Sequence, residues 1–270
     1  MTDATPPPAV RRALILERVR REGGASLADL ARDHAVSPVT VHRDLEVLSQ
    51  SGLIERVHGG ARRLPEPRRQ TDTEWGARLR EATGAKDAIA AHARTLIADG
   101  TTIFVDASST GLALAYQLQQ RPPADLTLVT TSPAIALGLT AESIHVIVAP
   151  GDLDQHMRVL TGRWTVEFIG QLHTETAFIS AAGLTLHHGL TTSRQPLADT
   201  LNAARASAAR TVALLDSSKF GRVSLLTAMP VQDIDLIVTD DEVPGDALEE
   251  LREAGVPVDV VAVDHVTESE

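Results

Sequence analysis

Two groups of residues in this chain have the types and spacing to do chemistry, and they call for different partners. The first pairs Asp216-Ser217-Ser218-Lys219-Phe220-Gly221 with Asp106-Ala107-Ser108-Ser109-Thr110-Gly111. Small hydroxyl residues at a helix start offer an anion free backbone amides and the positive end of the helix dipole. Asp106 and Asp216 can accept hydrogen bonds from sugar hydroxyls. Lys219 is one of two lysines, with Lys86, among 25 basic residues. Its compact ammonium differs from a planar guanidinium, so it reads either as a specific phosphate or hydroxyl contact or as an ordinary exposed lysine. A ligand with a phosphate and several hydroxyls would use all of these groups. Thr131, Ser132, Gly151 and Thr191 stand at comparable positions and complete the candidate effector set of Asp106, Ser108, Ser109, Thr110, Asp216 and Lys219.

The second group is basic and lies near the start. Ser37 suits an N-cap and Pro38 the first helical position, where its missing N–H costs nothing. Val41, Leu45 and Leu48 then form one apolar stripe, which leaves Thr40, His42, Arg43 and Glu46 outside it. Upstream, Ser26 caps a preceding helix with Asp29 three residues on, and an earlier helix runs from about Ala9 to Arg21. Helix, helix, tight turn and helix is a helix-turn-helix order, whose last helix lies in the major groove of DNA. After Gly52, Leu53–Val57 alternates like a strand, His58-Gly59-Gly60 turns, and Ala61–Leu64 returns as the second strand of a basic wing. The DNA-contact candidates are Ser37, Val39, Thr40, His42, Arg43, Arg56, His58, Gly59 and Arg62, with Arg63 beside them on the wing. Such groups contact phosphate and base edges.

These groups need scaffolds, and composition supplies the outline. The chain has 270 residues and a net charge of −11, unevenly spread: residues 1–70 carry 12 Arg, no Lys and 9 Asp and Glu, a net +3, and the remainder is −14. A basic head attracts DNA, while an acidic body limits nonspecific sticking. Leu64-Pro65-Glu66-Pro67 opens a linker, because two prolines deny it regular structure, and residues 73–82 suit a short joining helix. The expected organisation is a winged helix-turn-helix domain over 8–64, a linker over 65–84 and an effector-binding domain over 85–264. In the body, apolar runs at 102–106, 126–131, 144–149, 176–181, 211–215, 236–239 and 257–261 alternate with helical patterns such as Lys86–Ala98 and Leu112–Gln119. That alternation predicts a mostly parallel α/β sheet, whose ligands bind beyond the carboxyl ends of its strands.

Other chemistries find less support. The chain has no Cys, so disulfides and thiolate metal sites are excluded. No apolar run reaches the length of a membrane span, and residues 1–8 lack a signal-peptide core, so a cytoplasmic location is expected. Asp154, His156, Arg158 and His173 match no metal or catalytic spacing, and His187-His188 reads as exposed loop. No Gly-x-Gly-x-x-Gly turn follows a strand, so no cofactor is expected. No acid/base pair accompanies a nucleophile, so no catalytic residue is assigned, although an isomerase-like enzyme is the alternative to a regulator.

The head resembles the DeoR family of bacterial transcriptional regulators, on Val36, Ser37, Thr40, Arg43, Asp44, Leu45, Leu48, Gly52, Arg56, His58, Gly59 and Gly60. His42 stands where the family pattern usually has Arg. The body is similar to that family's effector domain, on Asp106, Ser109 and Thr110, on Gly189-Leu190-Thr191, and on Asp216 to Gly221. Ser108 replaces the usual Gly, and Asn202 falls near an expected Lys. The resemblance implies a body with the ribose-phosphate isomerase fold and a homo-oligomeric regulator of a carbohydrate operon, acting as a repressor. Its partners would be double-stranded operator DNA and a phosphorylated sugar or related metabolite, or else an unphosphorylated one.

Overall fold

The computed structural model describes residues 7–50, 53–57, 59–63 and 74–263, which form two compact units divided at Arg69/Gln70. His58 and residues 65–73 of the expected linker lie outside the described residues.

The first unit runs α1 (Pro8–Glu22), β1 (Gly24–Ser26), α2 (Leu27–Asp33), α3 (Pro38–Gln50), β2 (Ile54–Val57) and β3 (Gly60–Arg63). Both expected caps form: Ser26 Oγ accepts from Asp29 N at 3.1 Å, and Ser37 Oγ accepts from Thr40 N at 3.2 Å. Ile15, Val19, Leu30, Val41, Leu45, Leu48 and Ile54 make the core, which gathers the apolar stripes of all three helices. The wing has three strands, in the order β1-β3-β2, one more than the sequence suggested. β1 is only three residues long and reaches β3 because Gly60 pairs with Ser26; a Cβ on Gly60 would sit 2.3 Å from the Ala25 carbonyl oxygen.

The second unit runs α4 (Glu74–Arg80), α5 (Thr83–Thr95), β4 (Thr102–Val105), α6 (Ser109–Gln120), β5 (Leu126–Thr130), α7 (Pro133–Gly138), β6 (Ile144–Val148), β7 (Asp152–Asp154), β8 (Val159–Thr161), α8 (Arg163–Ile169), β9 (Thr174–Ile179), β10 (Gly183–Thr185), β11 (Gly189–Thr192), α9 (Gln195–Ser207), β12 (Ala208–Leu214), β13 (Leu226–Met229), β14 (Leu236–Asp240), α10 (Gly245–Glu253) and β15 (Val258–Val261). The seven expected strands form one all-parallel sheet in the order β15-β14-β12-β9-β4-β5-β6. α4 is a short helix within the stretch 73–82 expected to hold one, and α5 begins at Thr83, just inside the expected linker.

Side chains alternate across each strand, and both faces are covered. Ile103, Val105, Leu128, Phe178 and Leu214 pack with α5 and α6 through Ile89, Ala93, Leu112 and Leu118. On the other face Phe104, Val129, Ala177, Ile179 and Ala213 meet Ile169, Ala198, Leu201 and Leu251. The chain moves outward from β4 to β6 and then returns to lay β9 against the other side of β4. The strand order therefore reverses between β4 and β9, the place where an open parallel sheet leaves a crevice for a ligand. Two small antiparallel sheets, β7-β8 and β10-β11-β13, add to this body and were not expected.

Candidate effector site and nucleic-acid interface

A cavity of about 300 Å³ opens at the carboxyl ends of the central strands. Asp106 follows β4 and spans the reversal point: its Oδ2 accepts from Ser180 N, just past β9, at 2.8 Å, and its Oδ1 accepts from Ser108 N at 3.0 Å. Burial pushes its carboxyl above the usual aspartate range, and those hydrogen bonds and the positive charge of Arg78 only partly oppose this. Asp216 follows β12. Its Oδ1 accepts from Ser218 N and Oγ, while its Oδ2, fully buried, has no hydrogen-bond partner. Lys219 Nζ lies 3.7 Å from that oxygen, beyond hydrogen-bond reach. Thr131 Oγ1 is likewise buried without a partner on the cavity wall. Buried polar atoms in folded proteins are rarely left unsatisfied, so the Asp216 oxygen near an ammonium, and the Thr131 hydroxyl on the same cavity wall, are able to pair with polar groups brought from outside.

Seven of the ten candidate effector residues line the cavity: Asp106, Ser108, Ser109, Thr110, Thr131, Asp216 and Lys219. Ser108 also caps α6, accepting from Gly111 N at 2.8 Å. The other three do not line it. Ser132 caps α7 through Ile135 N. Gly151 is pressed against the β8–α8 segment, where a Cβ would stand 2.1 Å from Thr165 Oγ1. Thr191 turns its hydroxyl to the Gly183 carbonyl and accepts from Ser224 N, while its neighbour Thr192 reaches the cavity. Residues not anticipated include Arg78 and Glu81 from the α4 end, Ser180, Ser193 and Arg222. Lys86, the second of the two lysines, is buried on α5. The described residues contain no group of His, Asp and Glu able to hold a metal ion.

In the first unit, α3 presents Val39, 63% exposed, with His42 and Arg43 also exposed. An apolar methyl-bearing side chain suits a thymine methyl, and arginine suits a guanine edge or a phosphate. His42 Nδ1 stands 3.8 Å from the Glu46 carboxylate. The wing offers less free charge than its sequence suggested. Arg62 is held by both oxygens of Glu55 directly across the strand pair, at 2.9 and 2.8 Å. Arg56 turns toward α3 and donates to the His42 carbonyl at 3.4 Å. The Gly59 carbonyl accepts from Leu27 N at 2.8 Å, and Ser37 serves the α3 cap. Behind α3, Asp44 Oδ2 accepts from Arg11 Nε at 2.6 Å, with both residues 5% exposed, and this joins α1 to α3. Desolvation and the nearby Arg11 and Arg18 hold His34 below the ordinary histidine range.

Comparison with known proteins extends this picture. A family model described as the DeoR-like helix-turn-helix domain matches residues 11–66, and one described as the DeoR C terminal sensor domain matches 81–241. The HTH-type transcriptional regulator GlpR of Haloferax volcanii is 32% identical over 253 residues, 93% of this chain and 97% of that protein. The glycerol-3-phosphate regulon repressor of Escherichia coli K12 is 28% identical over 247 residues, 91% of this chain and 96% of that protein. Ribose 5-phosphate isomerase A of Methanocaldococcus jannaschii aligns with 50% of this chain and 53% of its own at 18% identity and a TM-score of 0.35, a level from which no shared activity follows. Among the described residues no helix is long and apolar enough to cross a membrane.

Proposed function

The chain belongs to the DeoR family of transcriptional regulators, and from that premise we propose that it represses a carbohydrate-use operon and is released from its operator by a phosphorylated sugar or closely related metabolite. The observation that carries the effector half is the buried, unpartnered Asp216 Oδ2 near Lys219, with the unpartnered Thr131 Oγ1 on the same cavity wall. A sugar hydroxyl donates to the carboxylate, the ammonium meets the phosphate, and the amides around Ser108 to Thr110 add donors. The DNA half rests on α3, with Arg43, His42, Thr40 and Val39 facing the groove. Two heads in a homo-oligomer bind repeated half-sites, which multiplies a modest single-site affinity. The effector then acts by preferring a body conformation that spaces the heads wrongly for the operator. In this reading the cavity senses its ligand without turning it over, and the protein works in the cytoplasm.

The test is fluorescence anisotropy of the full chain on its own upstream DNA at fixed salt, with a panel of sugar phosphates and free sugars. Tight binding released by one sugar phosphate is the expected result. Tight binding that only an unphosphorylated metabolite releases would keep the regulator and discard the phosphate, whereas turnover of the added sugar phosphate would restore the enzyme alternative.

A further inference from the structure

The cations at the cavity do not all come from the rim of the sheet. Arg78 lies in the last turn of α4 and lines the cavity, with its Nη2 3.9 Å from Met157 Sδ on the same wall. The α4 end is fixed from behind. Lys86, on α5 and 4% exposed, donates its ammonium to the main-chain carbonyls of Arg78, at 2.5 Å, and of Glu81. The last turn of a helix leaves carbonyls without intrahelical partners and carries the negative end of the dipole, so a buried cation suits this corner. Ala82 adopts a left-handed φ of +48°, which breaks α4 from α5 at that point. The corner and the cavity share one electrostatic field. Burial holds the Lys86 ammonium below the usual lysine range, Asp216 opposes that, and Lys219 adds to it.

We propose that Arg78 is a direct ligand of the effector's anionic group, acting with Lys219, and that the effector thereby bonds the segment that leads to the DNA-reading head. This rests on the phosphorylated-effector reading above. Arg78 and Lys219 are complementary tools for a phosphate: the guanidinium offers a fork of parallel donors, and the ammonium a point charge. They come from distant parts of the unit's sequence, one on its first helix and one after β12. The match to the sensor-domain family begins at Glu81 and leaves α4 out. Only residues 64–73 separate α4 from the wing. A ligand held by Lys219 alone would touch no residue of the helix that continues in sequence toward the head. A ligand that also bonds Arg78 has a different interaction energy in any state where α4 moves, which is the differential contact an allosteric release requires.

The experiment uses the full chain, isothermal titration, and a panel of glycerol 3-phosphate, ribose 5-phosphate, fructose 6-phosphate and inorganic phosphate, with glycerol as the uncharged control. Arg78→Ala is expected to bind the tightest phosphorylated probe about 10- to 100-fold more weakly, the loss of a charge-assisted contact, and Arg78→Lys to recover part of it. Operator affinity without probe should stay at the wild-type value, which also reports that the variant is folded. Hydrogen exchange gives the second readout: the probe slows exchange across 74–80 in the wild type and not in Arg78→Ala, while the 216–221 loop is protected in both. If Arg78→Ala binds the probe as tightly as the wild type while Lys219→Ala does not, the inference fails and the phosphate reading survives. Exchange at 74–80 that is indifferent to saturating probe also overturns it. If the wild type binds no phosphorylated probe, both fall together.

Discussion

The two units bury charge in opposite ways. In the head, Asp44 meets Arg11 at 2.6 Å, and the pair is closed off behind α3. In the body, Asp216 and Lys219 stop 3.7 Å apart, with one carboxylate oxygen buried and without a hydrogen bond, and Asp106 is held by backbone amides rather than by a contacting cation. The difference separates two uses of a buried ionic group. A closed pair fixes how two elements meet, whereas an open one leaves a buried oxygen able to pair with the proposed effector.

The largest effect should come from breaking the closed pair. Asp44→Ala takes the contacting carboxylate from the buried Arg11, and losing one member of a buried pair costs about 3–5 kcal/mol. Thermal unfolding should show the loss in the head while the body's transition is unchanged; a shift in both transitions would deny that the pair serves the head alone. Arg43→Ala comes next, weakening operator binding by about 1–3 kcal/mol with no change in unfolding; undiminished binding would remove α3 from the groove as oriented by that residue.

The buried Asp106 carboxyl predicts a pH dependence of the opposite sign from that of most paired acids. Because burial raises the folded Asp106 value, the native state holds more protons than the unfolded chain between the unfolded value, about 3.9, and the raised folded one. Stability therefore falls as pH rises through that window and is greatest below it. The wild type should lose stability relative to Asp106→Asn as pH climbs through it, followed by thermal melts of both proteins; a constant difference would mean that the residue carries no such cost. The smallest effect is on the wing. Glu55→Gln releases Arg62, which should raise operator affinity a little and steepen the dependence of log K on log salt by about 0.9, one phosphate's worth. An unchanged salt slope would show that Arg62 does not reach DNA even when freed.

Much of this was legible beforehand, for physical reasons. The seven parallel strands announce themselves because strands buried on both faces read as continuous apolar runs. The helices of the head declare their caps and stripes. β1, β7, β8 and β10, each three residues long, are too short to show any period. The Glu55–Arg62 pair was within reach once the hairpin was drawn, since Val57↔Gly60 fixes every partner further along the ladder. Thr192 was missed in favour of Thr191 because a one-residue step along a strand exchanges its faces. Arg78 was missed because its segment read as a joining helix between domains, with nothing in its spacing to link it to the sheet edge. The one clue was compositional: Lys86 and Lys219, the only two lysines, act on the same aspartate.

Gly60 bears on how a genetic dissection of this protein would be interpreted. It sits in a signature that looks like a contact with DNA, yet its hydrogen atom faces the Ala25 carbonyl, where any side chain would collide. A screen for lost repression would return substitutions at Gly60 alongside those at Arg43. The first class would be seam failures and the second reading failures, with the same phenotype. Soluble yield at lowered temperature would separate them, because a split seam can heal when folding is given time, whereas a missing guanidinium stays missing.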